Sequence, residues 1–353
     1  MNQVLRQFCL EGTPLSCERY GEGHINETYL VVTDRPRRYI LQRLSRAAFH
    51  DIPALMQNIA AVTAYLAARN PDPRASLRLV PTLDGGLWFR DAQGEYWRVY
   101  DFIEDSICLQ APESAEDFYQ SAVAFGSFQR MLQDFPAETL HETIPNFHNT
   151  PDRYRIFHEV LQADRLNRAA GVRREIDFAL ACEAEAGALL RLLEQGALPL
   201  RVTHNDTKLN NVMLDSRTRK ALCVIDLDTV MPGLVAYDFG DSIRFGASTA
   251  AEDERELERV GLDLRLYRRF AEGFIPACGA LTKEEIETLP LGAKLMTLEC
   301  GVRFLTDYLD GDHYFSVSRP GHNLDRARTQ FKLVAETERR RDEIRGIIRE
   351  CGK

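Results

Sequence analysis

The sequence predicts a bilobal α+β fold, with a small β-rich lobe over residues 1–103 and a larger, mostly helical lobe over residues 104–353. Three observations lead there. The chain has 353 residues, more than one hydrophobic core ordinarily serves. Its first hundred or so residues carry short aromatic and β-branched runs separated by turn residues. Beyond about residue 104, apolar residues recur at helical spacing instead.

In the first region, "TYLVVTD" (Thr28–Asp34), "RYILQRL" (Arg38–Leu44), "GLWFRD" (Gly86–Asp91) and "YWRVYDFI" (Tyr96–Ile103) read as strands. Asp84-Gly85-Gly86 and Gln93-Gly94 read as turns. Between the strands, Ile52–Asn70 places Leu55, Ile59, Val62 and Leu66 on one helical face. The second region opens with Ser114 and an acid three residues on, Asp117, which spells a capping box. Helices are expected near Arg153–Ala169, Arg173–Gln195 and Asp253–Gly273, then after a second capping box at Thr282 and Glu285, over Leu291–Asp310, and over Asp325–Arg349. Only Leu200–Thr203 and Val212–Leu227 look extended in this half, the latter as a hairpin turning at Thr218-Arg219. Trp88 and Trp97 are expected in the core or on a strand surface, and the charged tail "TERRRDEIRGIIRE" as a solvated helix face.

The balance of 53 acidic against 44 basic residues gives a net charge of −9. That argues against a nucleic-acid binder or an anionic-membrane binder, which would want a basic surface. Eight cysteines have neither zinc-site nor redox-motif spacing, which predicts reduced thiols and a cytoplasmic setting. The N-terminus lacks the apolar core of a signal peptide, and no run approaches the ~20 apolar residues of a membrane span. The expected state is a monomer or weak oligomer.

The chemistry concentrates in "VTHNDTKLNNVML", Val202–Leu214. The following hairpin is expected to set Asn211 opposite Asp226 at its open end. An amide oxygen beside a carboxylate suits a hard cation such as Mg²⁺. Asp206, five residues before Asn211, can accept a hydroxyl proton, and Lys208 can neutralise a phosphate oxygen. Phosphoryl transfer needs mainly a metal, positive charge on the transferred group and a positioned acceptor. His204 is assigned to holding the loop by hydrogen bonds.

His-x-Asp-x-Lys-x-x-Asn followed by a metal-binding Asp resembles the catalytic pattern of the protein-kinase-like fold. With the non-aromatic Asn205, the stretches "VIDLDTVMPG" and "YDFGDSIR" resemble the aminoglycoside phosphotransferase and choline kinase branch. More narrowly, the chain resembles the N-acetylhexosamine 1-kinases through "GEGHINETYLV", "RYILQ", "WRVYDFIE", "IPNFHNTPDR", "RVTHNDTKLNNVMLD", "VIDLDTVMPGLVAYDFGDSIRFGAST" and "MTLECGVRFLTDYLDGDHYF". These stretches run through nearly the whole length. The resemblance implies that Asp206 is the catalytic base, that Lys208 contacts the γ-phosphate, and that Asn211 and Asp226 hold Mg²⁺. It implies that Asp238 braces the catalytic loop and that backbone groups of Phe102, Ile103 and Glu104 meet adenine. The strand–loop–strand with Gly21 and Gly23 would cover the ATP phosphates or close over the sugar.

Two positions depart from the wider fold. Where protein kinases carry an ATP-contacting Lys, this chain has Gln42, still counted with the nucleotide site. Where the small-lobe helix would offer a Glu, it has Gln57 and Asn58. More of the charge neutralisation must then fall on metal and Lys208. The substrate set comprises His24, Asp206, Asp228, Arg303 and Tyr314. Asp228 has the alternatives of a supporting carboxylate, a partner for Arg303, or a metal ligand. Arg303 lies in an otherwise apolar helix and needs an anionic or hydrogen-bonding partner.

The expected activity is ATP- and Mg²⁺-dependent phosphorylation of the anomeric C1 hydroxyl of N-acetylglucosamine or N-acetylgalactosamine, giving the α-1-phosphate. The competitors are the same fold acting on choline, an aminoglycoside or homoserine, and a nucleotide-binding scaffold without turnover.

Overall fold

A computed structural model describes residues 1–21 and 25–353. After the short helix α1 (Asn2–Leu5) come β1 (Pro14–Arg19), β2 (Glu27–Thr33), β3 (Arg38–Leu44), α2 (Ile52–Arg69), β4 (Phe89–Arg90) and β5 (Tyr96–Asp101). The strands pair antiparallel into one five-stranded sheet, in the order β1-β2-β3-β5-β4. Alternation along each strand decides its two faces. Tyr39 and Leu41 of β3, with Trp97 and Val99 of β5, pack against Val4, Leu5 and Val80. Gln42, Arg98 and Tyr100 take the opposite face, toward α2, where Arg98 reaches Met56 and Tyr100 joins Leu55 and Ile59. The strand expected over Gly86–Asp91 shrinks to two residues, because Thr82 N–H closes the preceding turn onto the Gly86 carbonyl at 2.7 Å.

The second region contains β6 (Ser106–Cys108), α3 (Ala115–Met131), α4 (Thr150–Ala163), α5 (Arg173–Cys182), α6 (Ala188–Glu194), β7 (Arg201–Thr203), β8 (Val212–Asp215), β9 (Ala221–Val224), β10 (Met231–Gly233), α7 (Val235–Gly246), α8 (Leu264–Cys278), α9 (Lys283–Asp310), α10 (His322–Arg339) and α11 (Arg341–Cys351). Both capping boxes close reciprocally, Ser114 with Asp117 and Thr282 with Glu285. Four expected helices are shorter or broken, the first being α4, which ends at Ala163 where Asp164 turns left-handed at φ 31° instead of running to Ala169. Asp263 accepts from the N–H groups of Arg265 and Leu266 and so starts α8 there, leaving residues 253–263 irregular. The stretch over 173–195 breaks around Gly187, and the tail breaks at Arg340.

One core joins Leu55, Ile59 and Val62 of α2 to Phe118 and Phe125 of α3, Phe239 of α7, and Phe270 and Phe274 of α8. A second lies under α4, α5, α9 and α10, around Tyr154, Phe157, Val302 and Phe331. Helix α7 is pressed against α9 where two glycines meet. A Cβ on Gly240 would lie 2.4 Å from the Gly292 carbonyl oxygen, and one on Gly292 would lie 2.2 Å from that of Ala236. Only Gly permits this approach, and it sets α7 directly beneath the His204 loop.

Candidate active site

The loop from His204 to Asn211 is held mainly from α7. Asp238, fully buried, accepts from the N–H groups of His204 (3.0 Å) and Asn205 (2.8 Å) and from Gln129 Nε2 (2.6 Å). Burial pushes its pKa up, and these donors with His204 pull it back. Asp241 accepts from Thr207 N–H at 3.0 Å, and Ser242 Oγ donates to the Thr207 carbonyl at 2.8 Å. His204 is buried edge-on to Phe125 and Phe128. Its Nδ1 accepts from Asp206 N–H at 3.2 Å, so Nε2 carries the proton and donates to the Ile225 carbonyl at 2.9 Å. That geometry matches the loop-holding role read from the sequence. Asn205 sits in the left-handed region at φ 65° and donates to the Thr229 carbonyl at 2.9 Å. Asn tolerates that conformation better than most residues.

The braced loop leaves the Asp206 carboxylate partly exposed, 2.8 Å from Lys208 Nζ. Asn211 Nδ2 donates to the Asp206 carbonyl (2.8 Å) and to its carboxylate (3.1 Å), which leaves Asn211 Oδ1 as the acceptor end of the amide. Burial alone would lower the Lys208 pKa, but Asp206 and Asp241 raise it, so the ammonium stays charged. The expected pairing of Asn211 with Asp226 is off by one. The Asn211 carbonyl takes the N–H of Ile225 at 2.9 Å, and Asp226 follows at φ 58°. The turn closes on Asp215 and Lys220, Asp215 N–H donating to the Lys220 carbonyl at 2.8 Å, two short of the expected register, and a bulge between Met213 and Leu214 restores one residue of the difference.

Asp226 keeps solvent-facing surface, yet the protein around it displaces bulk water. That desolvation, with the nearby carboxylates of Asp228 and Asp206, pushes its pKa up to about 7 against the pull of Arg98 and Lys208. Such a surplus of negative charge suits a divalent cation. Among the described residues, no three His, Cys, Asp or Glu side chains converge into a protein-only cage. Mg²⁺ in phosphoryl-transfer sites typically takes one or two carboxylates and completes its shell with phosphate and water. The Asp226 carboxylate and Asn211 Oδ1 fit that donor set.

Across from this loop, Asp228 is the partner of Arg98 and not of Arg303. It is buried and bound by the guanidinium of Arg98, with Nη2 3.0 Å from Oδ2, and by Asn26 Nδ2. Arg98 Nε donates to Gln42 Oε1 at 2.9 Å, and Gln42 Nε2 donates to Thr28 Oγ1 at 3.0 Å. Asn58 stands where a Glu would be expected. Its amide binds the carbonyls of His141 (2.8 Å) and Val230 (3.1 Å) and the N–H of His141 (2.8 Å). Arg98 was not among the sequence candidates. Its signal was a charged residue within an apolar strand.

A third cluster adjoins Asp241, whose carboxyl is influenced by Arg244, Lys208 and His148. His148 Nδ1 meets Glu299 at 3.0 Å, and Thr150 Oγ1 donates to Glu299 at 2.7 Å. Burial would raise the Glu299 pKa, but His148, Arg303 and Thr150 bring it below the usual carboxylate range. His148 Nε2 is buried without a partner. Arg303, one turn after Glu299, donates to Tyr314 Oη at 3.2 Å and lies 6.0, 5.4 and 5.3 Å from the rings of Phe147, Tyr314 and Phe315. Among the described residues, no carboxylate oxygen lies within 4.0 Å of it. Sequence reasoning missed His148 and Glu299, although the i, i+4 spacing of Glu299 and Arg303 was a usable signal.

Of the remaining candidates, Gly23 and His24 lie outside the described residues. Gly21 ends β1's extension at φ 74°. Phe102 N–H is engaged by the Arg38 carbonyl at 3.1 Å, and the Ile103 carbonyl accepts from Ser106 Oγ at 2.6 Å. Glu104 pairs with Arg38, whose guanidinium covers the Phe102 ring at 4.1 Å.

Residues 16–272 match the family described as the phosphotransferase enzyme family. Among solved structures, a microcompartment-associated aminopropanol kinase is 18% identical, with a TM-score of 0.61 and 97% of each chain covered. The amicoumacin kinase hAmiN, solved with AMP-PNP, Ca²⁺ and its antibiotic, is 11% identical, with a TM-score of 0.62 over 94% of this chain and 91% of that one. Choline kinase from Cryptosporidium parvum Iowa II is 13% identical, with a TM-score of 0.56 over 94% and 91%. At these identities the likeness is one of fold, and it agrees with the α+β kinase-like architecture expected from the sequence.

Proposed function

We propose that this chain, which belongs to the phosphotransferase enzyme family, is an ATP- and Mg²⁺-dependent kinase for the anomeric C1 hydroxyl of N-acetylhexosamines. The products are the sugar α-1-phosphate and ADP. The observation that carries the reading is the setting of Arg303. Its guanidinium lies against Phe147, Tyr314 and Phe315, the aromatic faces on which a quaternary ammonium would otherwise rest. A cationic acceptor such as choline or an aminoglycoside would meet like charge there. A neutral sugar carrying an acetamide carbonyl would meet a donor and apolar rings. The polar series Asp206, Lys208, Asp241, His148, Glu299, Arg303 links the Arg303 cluster to the catalytic loop.

In this reading Asp206 accepts the hydrogen bond of the C1 hydroxyl and takes its proton as the oxygen attacks the γ-phosphorus in line. Lys208 holds a γ-phosphate oxygen. Asp226 and Asn211 would hold Mg²⁺, which when bound neutralises charge on the β- and γ-phosphates. His148 Nε2, buried and without a partner among the described residues, offers a hydrogen-bonding group for one sugar hydroxyl. Selectivity follows because an analogue lacking that hydroxyl strands the imidazole.

Arg303 also supports a second reading. A cation with no carboxylate beside it would receive the carboxylate of a homoserine-like acceptor. The deciding experiment measures ADP release with N-acetylglucosamine, N-acetylgalactosamine, galactose, homoserine, choline and an aminoglycoside, with and without EDTA. Turnover on N-acetylhexosamines, abolished by EDTA and giving a product that no longer reduces at C1, is expected. Turnover on homoserine or choline alone keeps the phosphotransferase chemistry and overturns the sugar. Nucleotide binding with no turnover on any acceptor turns the chain into a scaffold.

A further inference from the structure

The charge missing from β3 has a replacement one strand away. Gln42 and Arg98 are directly opposed on β3 and β5, and Gln42 Oε1 holds Arg98 Nε at 2.9 Å. The residue at the expected lysine position is thus neutral but aims a cation. Arg98 is 1% exposed, and its two terminal nitrogens grip Asp228 from the opposite lobe. Asp228 lies two residues past Asp226, so the guanidinium sits in the field of both carboxylates.

Two neighbours give this arrangement a direction. The Tyr100 hydroxyl, on the same face of β5, is buried without a partner among the described residues, and its ring lies 5.1 Å from the guanidinium. Asn26 binds Asp228 through Nδ2 while its Oδ1 accepts from Ser45 N–H at 3.0 Å. The segment entering β2 is therefore tied to the same carboxylate. Phosphate oxygens are recognised well by guanidinium, and exchanging Asp228 for phosphate would free both terminal nitrogens of Arg98 while Gln42 still holds Nε.

We propose that Arg98, oriented by Gln42 and parked on Asp228, is the small-lobe cation that contacts the nucleotide phosphates in this chain. The inference rests on the kinase reading above but not on the identity of the acceptor.

The test is equilibrium binding of Mg-ATP, Mg-ADP and adenosine, by calorimetry, to the full chain and its variants. Arg98→Met is expected to weaken Mg-ATP and Mg-ADP about tenfold to a hundredfold and to leave adenosine binding unchanged. Because Arg98→Met strands Asp228, the double variant Arg98→Met/Asp228→Asn keeps the cleft neutral and should show the same selective loss. The swap Gln42→Lys/Arg98→Gln returns a cation to β3 and should recover part of the Mg-ATP affinity. Equal weakening of adenosine and Mg-ATP in both Arg98 variants makes Arg98 a structural tie and overturns the proposal. Unchanged Mg-ATP affinity does the same. If the unaltered chain binds neither nucleotide, or binds them without turnover on any acceptor, the kinase reading itself fails, whereas turnover on an acceptor other than an N-acetylhexosamine costs only the acceptor assignment.

Discussion

The two walls of the candidate site are built in different ways. The large-lobe wall is local in sequence. His204, Asp206, Lys208 and Asn211 lie within one short loop, and their braces Asp238 and Asp241 share one face of α7. The small-lobe wall is assembled from afar. Gln42, Arg98, Asn26 and Asp228 come from four separate segments and meet only in the folded chain. The first wall keeps the residue types of the broader kinase pattern, and the second replaces them. The difference teaches that a charge can be relocated more readily where it is delivered by tertiary contact than where loop geometry and proton transfer must coincide.

The comparison breaks first at Asp206. If the loop wall carries the chemistry, Asp206→Asn lowers kcat by about 10²–10⁴-fold while calorimetry still finds nucleotide binding. Comparable turnover in the variant would move the base elsewhere. Next comes the brace. Asp238→Ala leaves two loop N–H groups and Gln129 without their acceptor, and should cost about 3 kcal/mol in urea unfolding together with a loss of kcat. Asn58→Ala probes the other wall. It strands the N–H of His141 and two carbonyls, for a smaller cost of about 1–3 kcal/mol, and should alter the KM for ATP more than that for the acceptor.

The smallest effect sharpens the picture away from chemistry. Asp215 accepts from the Thr218 N–H and hydroxyl and pairs with Arg74, which holds its carboxyl well below the usual value. A carboxyl with a depressed folded pKa contributes fully above its unfolded value of about 4 and loses that contribution as pH falls below it. The gap in thermal midpoint between the unaltered chain and Asp215→Asn should therefore be widest near neutrality and shrink in acid. A gap that is flat with pH would remove the carboxylate from the account.

Much of the large-lobe wall was legible because its signals are short-ranged. Caps at Ser114 and Thr282, the hairpin, and the spacing of Asp206, Lys208 and Asn211 each depend on a few neighbouring residues. The one-residue slip of Asn211 against Asp226 is the net of a turn that closes on Asp215 and Lys220 and a bulge after it, neither of which a residue pattern announces. Of the alternatives open for Asp228, a partnership with Arg303 gives way to a buried pairing with Arg98. The Arg303 cluster was half seen: Arg303 and Tyr314 were named, while His148 and Glu299 were not.

What the sequence determined by itself was the order of strands and helices and the chemical kit of the catalytic loop. Hydrophobic periodicity, capping and turn residues act over one or two turns of chain and are written where they operate. Tertiary structure alone decided which inward-facing polar groups meet. Arg98 and Asp228 are 130 residues apart and His148 and Glu299 are 151 apart. Strand alternation says only that Arg98 points inward. A buried guanidinium must find a carboxylate, and which one it finds depends on how β5 and the segment after β9 are packed together.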